Sequence, residues 1–386
     1  MTTHSVSSTP GTGANQQPHA LAQMRIAIVS DAAPGRNGVG TFYVDLMEHL
    51  KPHVQAIELM CPTISENGKW NAGVVLPLPG DATQKLCMPN PFTLQRQLNN
   101  LRPHVIIVAT PGVYGLFGAF LAGRMTIPAI AGFHTSFEEL TRLYWSKSAA
   151  GKVVHGYFKV SNNYLFKKCK LVLANSEAMV EQAQRLNAPA VEIIDTIISP
   201  LFTQTPVREY HGECQRILFA GRLAPEKNID LILAAARRLP HMQFSFAGDG
   251  PLRDRVEMAA RKQSNITTLG WLNRQDLCRQ IDDHHMLVLP STFESFGTIA
   301  LEAMARKRLV LVSPTCGIAD WPEYANGLYV MDHQNLTRCI HNVLAQTPEQ
   351  RIEKADTAMA ITRNLNRDSL QHWSDMLLRM VRLFAR

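Results

Sequence analysis

The sequence predicts an α/β protein made of two doubly wound domains. Three observations carry this. Strand and helix patterns alternate along the chain, the signature of parallel sheets. The pattern also begins twice. Met24-Arg-Ile-Ala-Ile-Val-Ser30 is an apolar strand ending in a polar, glycine-bearing loop, and Gln215-Arg-Ile-Leu-Phe-Ala-Gly-Arg222 repeats that design about halfway along. Finally, 386 residues suit two ordinary domains better than one very large one.

Residues 1–23 are rich in Ser, Thr, Gly, Gln and Pro with few large apolar side chains, so a disordered tail is expected there. The first domain is expected over 24–205. Short apolar runs bounded by turn residues give strands near 25–30, 54–60, 104–110, 128–134 and 170–175. Helical spacing fills 39–50, 91–101, 113–123, 137–145, 152–168 and 177–186. Pro200, Thr203, Thr205, Pro206 and Gly212 then break the periodicity and mark the boundary. The second domain is expected over 206–365, with strands near 216–221, 243–247, 266–269, 285–289 and 309–313. Its helices fall near 229–238, 251–262, 274–282, 298–306 and 335–345. The end, 366–386, is amphipathic through Leu370, Trp373, Met376, Leu377, Met380 and Phe384, a helix expected to pack between or across the domains.

Composition narrows the class. Hydrophobic residues at 46% and charged residues at 18% leave ample core for a globular protein. No charged segment followed by an apolar one opens the chain, so no signal peptide is expected. The longest apolar stretch, 105–123, is interrupted by Pro111, Gly112, Gly115 and Gly118 and reads as strand, turn and helix rather than a membrane span. Seven scattered cysteines without a C-x-x-C pair speak against a zinc site or a disulfide framework, and for reduced thiols in a cytoplasmic protein. The net charge of +7 is unevenly spread. Arg142, Lys147, Lys152, Lys159, Lys167, Lys168 and Lys170 interleave with aromatic and aliphatic residues, and no acid stands between Glu139 and Glu177. Such a segment either packs on its own sheet with a solvated basic side or docks on anionic lipid. The second option implies peripheral contact with the inner face of the cytoplasmic membrane. No nucleic-acid partner is expected.

The loops at strand ends carry the chemistry, because ligands of open α/β sheets bind there. The most informative is Pro290-Ser-Thr-Phe-Glu294-Ser-Phe296-Gly297-Thr298, running into a helix that holds Glu302. One carboxylate sits on the loop and one about a turn inside the helix, an arrangement suited to a ligand rich in hydroxyls. The amides of Phe296 and Gly297 open that helix and favour an anion or an oxygen lone pair. Two glutamates on a helix and its loop can equally be solvent-facing. In the second-domain opening, Gly221 and Arg222 precede Pro225, Glu226 and Lys227. Arg can fork onto phosphate oxygens and Lys acts as a point charge, so the pair can hold a diphosphate; a solvated turn is the plain alternative. Gly248-Asp-Gly250-Pro251 permits close backbone approach or simply a tight turn.

In the first domain, Asp31-Ala-Ala-Pro-Gly35-Arg-Asn-Gly38-Val-Gly40-Thr41 follows the first strand. Its glycine order is not the dinucleotide fingerprint, and no Lys precedes Thr41 as a P-loop requires. It remains a glycine-rich turn into a helix, fit for a phosphate or a sugar. His134 ends another strand, where a lone histidine is as readily structural as catalytic.

Together these loops resemble the retaining glycosyltransferases of family four, which have the GT-B fold of two Rossmann-like domains with an interdomain cleft. The match runs over about 24–386 and rests on Glu294 and Glu302 at E-x7-E spacing, Gly221-Arg222-Leu-x-Pro-Glu-Lys227 and Gly248-Asp-Gly-Pro251 in the family's order. The resemblance implies that Glu302 binds the donor ribose and Glu294 the transferred sugar, beside the Phe296, Gly297 and Thr298 backbone. It implies that Arg222 and Lys227 hold the diphosphate, with Gly221 and Gly248 lining the donor. Gly38 would approach the phosphate from the other domain, and His134 would sit near the sugar. It implies no metal and no cofactor beyond the nucleotide-sugar donor, and no enzyme nucleophile. Ala109-Thr-Pro-Gly and Phe133-His134-Thr-Ser-Phe are similar to the lipid-directed branch, which includes GDP-mannose-dependent α-mannosyltransferases and sulfoquinovosyl diacylglycerol synthases. The chain departs from the family pattern at Ala305-Arg-Lys-Arg308, Thr315-Cys-Gly317-Ile-Ala-Asp-Trp321-Pro-Glu323 and Asp195-Thr-Ile-Ile-Ser, positions that bear on the donor's base and sugar. The expected function is transfer of a hexose from a UDP- or GDP-linked donor to a lipid or lipid-linked hydroxyl. A soluble acceptor and a non-catalytic nucleotide- or glycan-binding scaffold are the alternatives.

Overall fold

The computed structural model describes residues 21–35, 38–64, 70–78, 81–134, 149–332 and 335–384. Two six-stranded parallel sheets form its frame. The first contains β1 (Arg25–Val29), β2 (Ala56–Met60), β7 (Val105–Val108), β8 (Ala129–Phe133), β9 (Leu171–Ala174) and β10 (Val191–Ile193) in the order β10-β9-β8-β7-β1-β2. Between β2 and β7 lie two small antiparallel pairs. These are β3 (Thr63–Ile64) with β4 (Trp70–Asn71), and β5 (Val74–Leu78) with β6 (Asp81–Met88). The second sheet contains β11 (Arg216–Ala220), β12 (Gln243–Ala247), β13 (Ile266–Gly270), β14 (Met286–Leu289), β15 (Leu309–Val312) and β16 (Tyr329–Val330), ordered β13-β12-β11-β14-β15-β16.

The central strands read as unbroken apolar runs because helices cover both faces of each sheet. Ile26 to Val29, Val105 to Val108 and Met286 to Leu289 are all buried. Strand order reverses between β1 and β7 in the first sheet and between β11 and β14 in the second. At such a reversal the two following helices lie on opposite faces and leave a crevice at the carboxyl edge. Each crevice is bordered by loops that the sequence marks as chemical.

The last helix, Leu365–Phe384, returns to the first sheet. Trp373, Met376 and Leu377 are fully buried there in one cluster with Ile26, Ile28 and Leu46, so it covers a face of the first domain. Of the expected tail, 1–20 lies outside the described residues. Leu21, in contrast, is only 8% exposed and joins the same cluster, because a lone leucine beside a strand has a core to enter. The expected helix 137–145 and the basic positions Arg142 and Lys147 also lie outside the described residues. The helix expected over 152–168 is longer, Ala149–Lys168.

Candidate active site

The second sheet's reversal brings two predicted residues into contact. After β11 the chain makes a short 3-10 turn, Pro225–Lys227, and Asn228 takes a left-handed conformation at φ 54° to start the next helix. This aims Lys227 at the loop after β14, where its Nζ donates to Glu294 Oε2. Both side chains are 16% exposed. Burial works against the Lys227 charge, but the Glu294 carboxylate outweighs it and holds the ammonium above its ordinary range. The loops are also tied through backbone, since Thr292 N donates to Glu226 O at 2.8 Å. Arg222 Nη1 lies 3.4 Å from Glu226 Oε1, on the same turn.

Gly221 and Gly248 meet backbone to backbone. A Cβ on Gly248, whose φ is +139°, would lie 1.9 Å from the Gly221 carbonyl oxygen. Gly221 N donates to Ala247 O at 2.9 Å and Leu223 N to Asp249 O at 3.0 Å. The glycines thus let the loops after β11 and β12 lie side by side.

The glutamate loop is zipped to the loop after β15. Gly317 N donates to Glu294 O at 2.9 Å and Ile318 N to Phe296 O at 2.8 Å. Gly297, at φ +97°, leaves only room for itself, because a Cβ would stand 2.7 Å from Cys316 Sγ. The Phe296 ring is 2% exposed and packs edge-on against Trp321 and Tyr324. Its role toward a ligand is therefore confined to its backbone. The helix Thr298–Ala305 opens without a side-chain cap, so its first amides have no acceptor from the N-cap residue.

The two glutamates hold different cations. Glu302, 2% exposed, accepts from Arg274 Nη1 through Oε1. Arg274 Nη2 also donates to Asp45 Oδ2, at 2.6 Å. Asp45 belongs to the first domain's helix Gly38–Leu50, so this bridge crosses between the sheets. Burial pushes the Glu302 carboxyl up, with Arg274 pulling the other way. The same balance, worsened by Glu302 and Glu48, puts Asp45 at about 7.

A second crossing lies nearby. Trp271 Nε1, after β13, donates to Gly35 O at 3.0 Å, in the glycine-rich loop after β1. A third joins Trp321 Nε1 to Asn175 O at 3.3 Å. Gly38 starts its helix with open space where a Cβ would stand. His134 is 9% exposed and shares a 2.8 Å hydrogen bond between Nε2 and Tyr43 Oη. Burial lowers it to about 4, so its imidazole is neutral at physiological pH. At the first sheet's reversal, the Asp31 carboxylate accepts from Thr110 Oγ1 and from the Tyr114 and Gly115 amides. That carboxylate fills the start of the helix Val113–Arg124.

Sequence reasoning does not single out Arg274, Asp45 or Trp271. Trp271 and Arg274 follow a strand end, which is a usable signal. Asp45 gives none, because one acid in an amphipathic helix looks solvent-facing.

Comparison with known proteins agrees with this architecture. A family model described as Glycosyltransferase Family 4 matches residues 36–200, and one described as Glycosyl transferases group 1 matches 214–346. The chain is 25% identical to the alpha-monoglucosyldiacylglycerol synthase of Acholeplasma laidlawii over 75% of this chain and 80% of that one. It is 24% identical to the sulfoquinovosyl transferase SQD2 of Arabidopsis thaliana over 58% of this chain, and that match spans 45% of the plant protein. The crystal structure of Anabaena Alr3699/HepE in complex with UDP and glucose superposes with a TM-score of 0.70 at 16% identity, covering 92% of this chain and 99% of that one. Two sheets that each reverse order beside a charged loop, and family models that match both halves, lead to one assignment: the chain belongs to glycosyltransferase family four, with the GT-B fold, and is a glycosyltransferase of the kind that draws on nucleotide-sugar donors.

Proposed function

We propose that this enzyme transfers a hexose from a UDP- or GDP-linked donor to a hydroxyl of a lipid or lipid-linked acceptor, with retention of configuration and without a metal ion. The donor lies along the carboxyl edge of the second sheet. Glu302 uses its second oxygen for the ribose, since Arg274 occupies Oε1. Glu294 and the uncapped start of Thr298–Ala305 face the sugar and phosphates. Lys227 and Arg222 supply the positive charge. The acceptor oxygen attacks the anomeric carbon on the face the diphosphate leaves. The sugar–phosphate bond breaks, and a departing phosphate oxygen takes the acceptor's proton. The products are the glycoside and the nucleoside diphosphate. Cations fixed where that charge grows favour the transition state over the ground state. His134, neutral and bonded to Tyr43, serves as a fixed hydrogen-bonding wall near the sugar rather than as a charged acid.

The observation that carries the lipid acceptor is the distribution of exposed apolar side chains. Among the described residues thirteen large apolar side chains are exposed, and nine of them lie on the first domain. Val74, Leu76, Leu86 and Met88 share one face of the β5–β6 hairpin, paired Val74 with Met88 and Leu76 with Leu86. Phe92 is 84% exposed on the helix Pro91–Leu101. Phe120 stands on Val113–Arg124, which touches the hairpin, Pro91–Leu101 and Ala149–Lys168. Val153, Tyr157 and Val160 follow on Ala149–Lys168 at helical spacing. Exposed apolar side chains gathered on neighbouring elements mark an interaction surface, and lysines beside them favour an anionic bilayer. Among the described residues no helix is long and apolar enough to cross a membrane; the contact proposed is peripheral.

The test is a transfer assay with UDP- and GDP-hexoses. The acceptor is a diacylglycerol or phospholipid in vesicles, compared with soluble sugars. Transfer to the vesicle acceptor with the donor's anomeric configuration kept, in the presence of a chelator, is expected. An inverted product, a metal requirement, or turnover only on soluble sugars would each refute the corresponding part.

A further inference from the structure

Asp45 stands where the first domain's own packing does not call for an acid. It lies on the buried side of the helix Gly38–Leu50 and is 2% exposed. A buried carboxylate costs free energy unless its charge is met. Even a buried ion pair contributes little net stability compared with well-packed apolar side chains. Stability alone therefore does not account for an acid at this position. Its partner suggests another use, because Arg274 Nη2 of the second domain donates to Asp45 Oδ2 at 2.6 Å.

The Arg274 guanidinium is held by three groups. Nη1 donates to Glu302 Oε1 and Nη2 to Asp45. Its central carbon lies 4.7 Å from the centre of the buried Phe202 ring, in the helix Pro200–Gln204. Arginine presents a rigid planar fork, so fixing one prong directs the other. Asp45 therefore helps to set the direction from which Glu302 is gripped, and with it the Glu302 rotamer. The same segment is pinned to the first domain a second time, since Trp271 Nε1 donates to Gly35 O.

We propose that Asp45 is a positioning residue for the nucleotide donor, acting through Arg274 to hold Glu302 in the rotamer that receives the ribose hydroxyls. This rests on the donor reading above, in which Glu302 binds the ribose. It adds that ribose recognition depends on an acid of the opposite domain. Donor binding then senses the approach of the two domains, because Asp45 reaches Arg274 only across their junction. The step also depends on pH. The charged groups that face Asp45 are Arg274 and Glu302 of the second domain and Glu48 of its own helix, together with the Ser199 backbone N–H. Burial, with Glu302 and Glu48, outweighs Arg274 and that N–H and puts Asp45 at about 7. Above that pH the carboxylate is charged and grips Arg274. Below it a proton weakens the grip, and ribose recognition declines.

The experiment measures binding of UDP and GDP, and of their 2′,3′-dideoxy counterparts, to the full-length enzyme by titration calorimetry. The readout is the preference for the ribose form over the dideoxy form. Titration of the phosphates affects both forms alike and cancels. Native enzyme is compared with Asp45→Asn, Glu48→Gln and Glu302→Ala at pH 6 and pH 8. At pH 8 the native preference is expected to be about tenfold, the scale of one hydrogen bond to a charged group, and to shrink toward pH 6. In Asp45→Asn the preference should fall about fivefold at pH 8 and no longer change with pH. Affinity of that variant for the dideoxy form should stay native, which also shows that it is folded. Glu48→Gln removes a charge from the same helix and leaves the Asp45–Arg274 hydrogen bond in place, so it should keep the native preference at pH 8. An Asp45→Asn enzyme that keeps both the preference and its pH dependence, or that loses both nucleotide forms equally, would overturn the positioning role. A native preference retained by Glu302→Ala would refute the donor reading itself, and the positioning role with it. A preference lost in Glu302→Ala but kept in Asp45→Asn would refute the positioning role alone.

Discussion

Replacing Arg274 with alanine tests the bridge between the two domains and the state of Glu302 together. In the native enzyme one guanidinium serves two carboxylates, and the Asp45 and Glu302 side chains are each 3% exposed. Removing one partner of a buried ion pair leaves an uncompensated charge, at a cost of about 3–5 kcal/mol. Here two carboxylates would be left, but they can escape by taking protons. Asp45 already stands at about 7 with Arg274 present, and losing the cation moves it and Glu302 further up. Below that value Asp45 is largely neutral in the variant, burial pushes Glu302 in the same direction, and the deficit shrinks. The expectation is therefore a loss of about 3 kcal/mol at pH 8 that narrows toward pH 6. Urea unfolding at both pH values, followed by tryptophan fluorescence, reads this directly. Nucleoside diphosphate binding should weaken in the same variant, because Glu302 would lose the partner that fixes its rotamer. Unchanged urea midpoints at both pH values, together with unchanged nucleotide affinity, would show that the bridge is idle and that Glu302 is positioned by packing alone.

Three further outcomes are expected. Asp45→Asn keeps an acceptor for Arg274 and removes a group whose folded value, about 7, lies above its ordinary 3.8. Folding takes up a proton between those values, so the native enzyme loses stability from this group as pH rises through the window. Stability measured from pH 5 to 8 should fall less steeply in the variant, and an identical slope would contradict the assigned shift. Lys227→Gln should lower turnover by about 10²–10³ while changing donor affinity less, as for loss of one preorganised charge at a developing anion; kcat within threefold of native would remove Lys227 from that role. Gly248→Ala should destabilise by at least about 2 kcal/mol, since the methyl would collide with the Gly221 carbonyl and the backbone angle disfavours any side chain. A denaturant midpoint equal to the native one would mean that the two loops separate at little cost.

Much of the frame is legible in the sequence. Runs such as Val105 to Val108 and Leu309 to Val312 can only be strands buried on both faces, and all ten strands expected from the sequence are present. The elements that sequence patterns miss share a cause, a weak or inverted apolar signal. β10 and β16 have three and two residues, too few for periodicity to register. The β5–β6 hairpin places apolar residues on its exposed face, the reverse of the usual alternation. The helix Pro348–Thr362 carries a capping box at Thr347, but its small buried alanines make a weak apolar stripe.

The candidate site divides along the same line. By itself the sequence determined which residues stand at the carboxyl ends of strands, because strand ends are marked by glycine, proline and polar residues after an apolar run. That was enough to single out Arg222, Lys227, Glu294, Glu302 and the glycines around them. It did not determine who holds whom. Glu294 and Glu302 look like one pair in the chain, yet one binds Lys227 across the reversal of the second sheet and the other binds Arg274 and, through it, Asp45 of the first domain. Those partners lie 67, 28 and 229 residues apart along the chain. Local patterns report burial and turn geometry over a few residues. Only the packed arrangement of two sheets decides which charges meet, and the low dielectric of that junction gives each meeting its weight.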